Sequence, residues 1–374
     1  MGSGTVCLFL CGDVMLGRGV DQVLPNAGDP VLDEPFMRDA RAYVDLAEKA
    51  HGPVPRPVGG AWPWGDALAV LDSWAPDVRI VNLETSVTRC GGFAPGKSVH
   101  YRMSPGNVDA LVAGEPDVCV LANNHTMDFG HPGLIETLDT LRAAGLRSAG
   151  AGRHAGEAER PVTVETGGGR VLVSSVGTAS AGVPAEWRAE ADRPGVAMVD
   201  LRRRDAVELA GRIQAVRRPG DVVVVSVHWG SNWGYGVAQE QADFAHELID
   251  AGVDVVHGHS SHHPRPIEVY RGKLILYGCG DFINDYEGIG GYEEYRDDLR
   301  LMYFAEIDAA DGSVAELRMV PLRARRLRLE HAVASDRAWL AEVLDEVSAE
   351  FGVRITERDA AVGPERVHTL AAVL

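Results

Sequence analysis

The sequence predicts a layered α/β fold, and three observations carry that reading. Short runs rich in valine, isoleucine and leucine alternate with stretches of helical period. Several of those runs end directly in acidic, amide or imidazole residues. With 374 residues and 45% hydrophobic side chains, the chain can bury a sizeable core without disulfides.

The first run, residues 6–11, reads as a strand ending at Gly12-Asp13. Residues 79–83 form a second, ending at Glu84, and 118–122 a third, ending at Asn123-Asn124-His125. Gly167-Gly168-Gly169 reads as a hairpin turn, and strands follow over 171–176, 222–227, 253–256 and 274–277. Residues 133–144, 204–216 and 240–251 carry the helical pattern. Nearer the N-terminus, 35–50 reads as a helix and 52–64 as an ordered loop beside the site. Past residue 301 the pattern changes: 301–307 and 315–320 flank Asp311-Gly312, a hairpin signal. Ser335 then caps a helix with Trp339, Leu340, Val343, Leu344 and Val347 on one stripe. The simplest division is one domain over 1–330 and a C-terminal helical appendage over 331–374, giving a C-terminal β-hairpin and helix.

A net charge of -18 makes nucleic acid and anionic membrane poor partners. Two basic clusters, 202–204 and 323–328, read as a solvated helix start and strand face, with a docking patch for an anionic substrate as the alternative. No apolar run approaches the ~18 residues that cross a bilayer. No secretory leader is legible, so a cytoplasmic location is expected. The five cysteines sit mostly in apolar runs, with Cys7 and Cys11 on one strand face, as small core residues of a reducing compartment do. Gly17-Arg18-Gly19 lacks the rest of a dinucleotide fingerprint, and no Gly-x-Ser-x-Gly elbow is present.

The chemistry lies just past the strands. In open α/β sheets the ligand site lies beyond the carboxyl ends of the strands. Asp13, Glu84, Asn124-His125 and His228 fall at four such ends, and 253–256 leads into His257-Gly258-His259-Ser260-Ser261-His262-His263. Four histidines in seven residues are hard to explain by packing, and imidazole is the commonest metal ligand. Asp13 and Glu84 supply the negative charge that a pair of dications needs, although an isolated Asp there could equally cap a helix. Asp128 caps the following turn or orients His125. Arg18 and Lys97 are the candidates to meet an anionic substrate.

Taken together, Gly12-Asp13-Val14-Met15-Leu16-Gly17-Arg18, Asn82-Leu83-Glu84, Ala122-Asn123-Asn124-His125 with Asp128 and Gly130, His228-Trp229-Gly230, Gly258-His259 with His262, and Tyr277-Gly278-Cys279-Gly280-Asp281-Phe282 resemble the CapA-like family of poly-gamma-glutamate capsule proteins, within the calcineurin-like metallophosphatase superfamily. The resemblance runs from Gly12 to about Asn284 and implies a four-layer α/β/β/α sandwich. It also implies two divalent metal ions, with Asp13 and His262 on one, Asn124, His228 and His259 on the other, and Glu84 bridging. His125 is similar to the superfamily's general acid beside the substrate. Three departures stand out: Met15 occupies a histidine position, Ser260 replaces a middle histidine, and Asp281 replaces an asparagine, adding a carboxylate near the metals and the substrate. His257 or His263 could compensate for the missing imidazole.

The resulting expectation is a metal-dependent hydrolase or transferase with Mn, Fe or Zn. It would act at an amide bond of an anionic, glutamyl or peptide-like substrate. A phosphoesterase is one alternative, because the same metals suit both reactions, and a non-catalytic assembly or binding protein of capsule-type biosynthesis is the other, since the resemblance does not require turnover.

Overall fold

Two large sheets organise the chain in the computed structural model, which describes residues 4–362 and 365–373. In the first, strand Thr5–Val14 lies at the centre. On one side Val78–Leu83, Val118–Val120 and Arg147–Ala149 run parallel to it in succession. On the other side Leu299–Asp308 and Val314–Ala324 continue the sheet antiparallel, as a hairpin must. The second sheet has a parallel centre, Gly169–Gly177, Val222–His228, Val255–His259 and Lys273–Leu276, with antiparallel edges Val162–Thr166 and Ile267–Tyr270.

Side-chain alternation divides each run between two faces. Leu8, Leu10, Ile80 and Val120 from the first sheet share one apolar cluster with Val173, Val224, Val255 and Leu276 from the second. Phe9, Val81 and Cys119 point the other way, onto Val44, Leu71 and Leu138 of helices Arg41–His51, Ala67–Trp74 and Gly130–Ala143. Val223, Val225 and Val256 meet Leu209, Ile213, Phe244 and Leu248 of helices Arg203–Gln214 and Gln239–Asp250. Strands covered on both faces lose the polar half of the alternation, which is why they read as unbroken valine runs. The chain is therefore mixed α/β, with large sheets and packed helices.

Several expectations need adjusting. The helix expected from residue 35 begins at Arg41, whose backbone N–H bonds Asp39 Oδ1 at 2.9 Å. Residues 52–64 do not line the site. They bury Val54, Val58 and Trp64 in the helix-side cluster, with Trp64 Nε1 donating to the Ala110 carbonyl at 2.7 Å. Helix Ala334–Ser348 starts one residue before Ser335, whose side chain therefore does not cap it. The tail continues as two strands, Arg354–Val362 and Glu365–Val373, which pair with each other and extend the first sheet beside Val314–Ala324. The basic clusters are largely ion-paired: Arg203 with Glu247, Arg204 with Asp205, Arg326 with Glu330 and Arg328 with Asp66. Cys11, Cys119 and Cys279 are buried and free. Among the described residues no helix is long and apolar enough to cross a membrane.

Candidate metal centre

Parallel pairing brings the carboxyl ends of strands from both sheets to one place. Asp13 is in register with Asn82 on one neighbour and with Asp281, at the start of the short strand Asp281–Ile283, on the other. His228 and His259 are register partners at the ends of adjacent strands of the second sheet. Gly12 makes the approach of Asp281 possible, because a Cβ there would lie 1.6 Å from the Gly280 carbonyl oxygen. The glycine before Asp13 is a requirement of packing.

Two groups of metal-type ligands result, and Asp13 belongs to both. Ligand atoms of Asp13, His228 and His259 lie within 4.8 Å of one another, as do those of Asp13, His262 and Asp281, and all five residues are buried. Asn124 Oδ1 is 3.0 Å from His228 Nε2, and His228 Nδ1 is 2.7 Å from His259 Nδ1. Glu84 Oε1 lies 3.9 Å from Nε2 of both His125 and His228. Asp281 Oδ1 is 2.9 Å from His262 Nδ1.

Electrostatics make this cluster costly without a cation. Burial raises Asp13 to about 6, and burial followed by the charge of Asp13 lifts Glu84 well above the usual carboxylate range. Burial pushes His228 and His259 far down, so both imidazoles are neutral and keep a lone pair. Burial also opposes a proton on His262, but the Asp281 carboxylate outweighs it and His262 is raised. Asp13 Oδ2 is buried and has no hydrogen-bond partner among the described residues. A buried acceptor without a donor is expensive, and a cation is the partner this one lacks. Carboxylate, imidazole and amide oxygen together suit a divalent first-row metal, so the residues present fit one.

Beside the cluster, His125 Nδ1 is 2.6 Å from Asp128 Oδ2, so Asp128 orients the ring and is more than a turn cap. Asp128 also accepts from the Tyr101 backbone N–H at 2.7 Å and from Lys97 Nζ at 2.5 Å. Burial would raise Asp128, but His125 and Lys97 together hold it below the ordinary carboxylate range. The His125 ring stacks on Tyr101 at 3.7 Å between centroids, and burial brings it down to about 4.

Other expected residues sit differently. Arg18 reaches the cavity wall, but its guanidinium is already paired with Glu34 at 2.9 Å and Asp285 at 2.5 Å. Lys97 is likewise committed to Asp128 and the Asn124 carbonyl. Asp281, expected to face the substrate as well, belongs to the ligand cluster. His257 does not compensate for the missing imidazole: it is held between Ser226 Oγ at 3.1 Å and the Cys11 carbonyl at 2.8 Å. Nor does His263, which packs among Trp233, Tyr235 and Tyr295.

Polar residues behind the ligands have roles that the sequence did not assign. Asn82 Nδ2 donates to Asp13 Oδ1 at 2.7 Å and to Glu84 Oε2 at 3.3 Å, while its Oδ1 accepts from Asn123 at 3.0 Å. Ser226 Oγ lies 2.8 Å from His259 Nε2, and Asn232 Nδ2 lies 3.0 Å from His262 Nε2. Asn82 and Ser226 were detectable as lone polar residues near the ends of apolar strands.

A cavity of about 410 Å³ opens over the cluster and is lined by Glu84, Asn124, His125, His228 and His262. Its outer wall is apolar and aromatic. Phe36 is 79% exposed and Tyr292 40%, and Tyr292 stacks on Trp233 at 3.9 Å.

Comparison with known proteins identifies the family. A probable polyglutamine synthesis accessory protein of Mycobacterium tuberculosis is 54% identical over 356 residues, 94% of each chain. The PGA biosynthesis protein CapA of Bacillus subtilis is 27% identical over 343 residues, 88% of this chain and 79% of that one. The capsule biosynthesis protein CapA of Bacillus anthracis is 29% identical over 319 residues, covering 84% and 66%. Residues 7–286 match the family described as bacterial capsule synthesis protein PGA_cap, and those residues hold every strand end that builds the cluster; the chain belongs to that family.

Proposed function

We propose that this chain is an enzyme that uses two divalent ions, Mn, Fe or Zn, to hydrolyse or transfer at an amide bond of a glutamyl or peptide-like substrate. The observation that carries the reading is the membership of Asp13 in both ligand groups. A shared carboxylate is what lets two dications sit about 3.5–4 Å apart. In this reading Asn124, His228 and His259 hold one ion and His262 and Asp281 the other. Asp13 reaches both, and Glu84 completes the negative charge. The three apolar clusters support the four-layer α/β/β/α sandwich of metallophosphatases as the architecture.

When bound, the ions polarise a substrate carbonyl or phosphoryl oxygen and acidify water toward neutrality. His125 does the proton work. Its Nδ1 is held by Asp128, leaving Nε2 on the side of Glu84. Burial keeps the ring neutral at rest, with Nε2 free to accept the proton that the attacking water loses and to return it to the leaving atom. Arg18 and Lys97 are already paired with carboxylates, so an anionic group would be recognised at the ligand cluster, and the aromatic wall receives the rest of the substrate.

The test is an assay of the metal-loaded protein on a gamma-glutamyl peptide and on a phosphodiester. Cleavage of the peptide supports the proposal, and cleavage of the phosphodiester alone replaces it with a phosphoesterase. The word accessory in the name of the Mycobacterium tuberculosis relative favours a second reading, a non-catalytic assembly or binding protein of polyglutamate synthesis. Inertness toward both substrates at full metal occupancy would establish that one.

A further inference from the structure

Arg300 is 1% exposed, yet it is placed unlike Arg18, the buried arginine at the cavity wall. Arg18 pairs with two carboxylates. Arg300 instead donates from Nη1 to the carbonyls of Asp297 and Leu299, and from Nη2 to Asn284 Oδ1 at 3.0 Å. Its Nε has no acceptor among the described residues. A buried guanidinium without a directly paired carboxylate is costly, so a compensating role is worth seeking.

Asn284 supplies the connection. It accepts from Arg300 and donates from Nδ2 to Asp281 Oδ2 at 2.6 Å. A cation on one side and a carboxylate on the other permit only one orientation of that amide. Asp281 Oδ1 in turn meets His262 Nδ1, so a hydrogen-bonded line of four residues runs from the buried cation to one half of the ligand cluster. The other half is held differently: His259 rests on the Ser226 hydroxyl, and His228 on Asn124, whose backbone carbonyl accepts from Lys97.

We propose that Arg300 is a positioning residue for the Asp13–His262–Asp281 group. Acting through Asn284, it fixes the Asp281 carboxylate in its ligating orientation and offsets the negative charge gathered there. The inference rests on the two-metal reading of the site. Its consequence is selective, because loss of the line weakens one ion and spares the other.

Titration of the metal-free full chain with Mn²⁺, followed by electron paramagnetic resonance, tests this, since a coupled ion pair and isolated ions give different spectra. The wild type is expected to take up two equivalents and show the coupled spectrum. Arg300→Met and Asn284→Ala should each keep one equivalent at wild-type affinity, bind the second about 10- to 100-fold more weakly, and show isolated ions. The retained equivalent reports that the variant is folded. Arg300→Lys, which keeps the charge without the fork, should recover only part of the loss. If Arg300→Met does not fold, Asn284→Ala decides alone. Wild-type binding in Asn284→Ala, or equal weakening of both equivalents, overturns the inference while leaving the two-metal reading intact. A wild type that binds fewer than two equivalents overturns both.

Discussion

The two halves of the cluster share Asp13 but are held in place by different means. His228 and His259 end adjacent strands of one sheet, and backbone pairing sets them side by side. His262 follows a loop in which Ser260 takes a φ of 108°, and its partner Asp281 begins a strand of three residues. That half depends on side chains for its shape: Asn232 on His262, and Asn284 with Arg300 on Asp281. Ligands on strands inherit their geometry from the sheet, whereas ligands on loops need buttresses. Mutations should therefore affect the halves unequally.

The largest effect is expected where the halves meet. Asp13→Ala should abolish binding of both ions in calorimetric titration, whereas His262→Ala should remove one; equal losses from the two variants would erase the distinction. His125→Ala leaves both halves intact and should lower turnover about 10²- to 10⁴-fold at unchanged metal content. A fall in metal content instead would make His125 a ligand. Gly12→Ala forces the strands of Asp13 and Asp281 apart, because the clash is with backbone that cannot yield. The cost of such overpacking is about 1–3 kcal/mol, read as a lower Tm, and the Asp281 half should lose its ion first. Ser226→Ala sharpens the comparison from the other side, with about 10- to 100-fold weaker binding confined to the His259 half.

The smallest effect is on pH dependence. Asp13 is raised from 3.8 to about 6, so its contribution to the stability of the metal-free fold is complete below 3.8 and lost as pH rises through about 6. Glu84 is raised in the same sense. A dication relieves that loss, so the rise in Tm on adding Mn²⁺ should be larger at pH 7 than at pH 5. An equal rise at the two values would show that these carboxylates do not face the metal.

The sequence showed the strand half of the cluster more plainly than the loop half, for the same physical reason. An apolar run that stops at Asp13, His228 or His259 announces both the strand and the direction of its end. Asp281 lies in a short strand between glycine-rich turns, and Asn284 and Arg300 come together only through tertiary contact, so no periodicity marks them. The tail was missed on similar grounds. Arg354–Val362 carries Arg354, Glu357, Arg358 and Asp359, and a charged edge hairpin shows little of the apolar alternation that identifies a strand. Arg18 and Lys97 show the complementary limit: each reaches the cavity wall, as expected of a group near the substrate, but a sequence cannot show that a cation is already paired.

Anomalous diffraction from crystals of the full chain soaked in Mn²⁺ tests the central claim most directly. Two peaks about 3.5–4 Å apart, both within bonding distance of the Asp13 carboxylate, are the expected result. A single peak, or peaks that leave Asp13 Oδ2 without a partner, would contradict it.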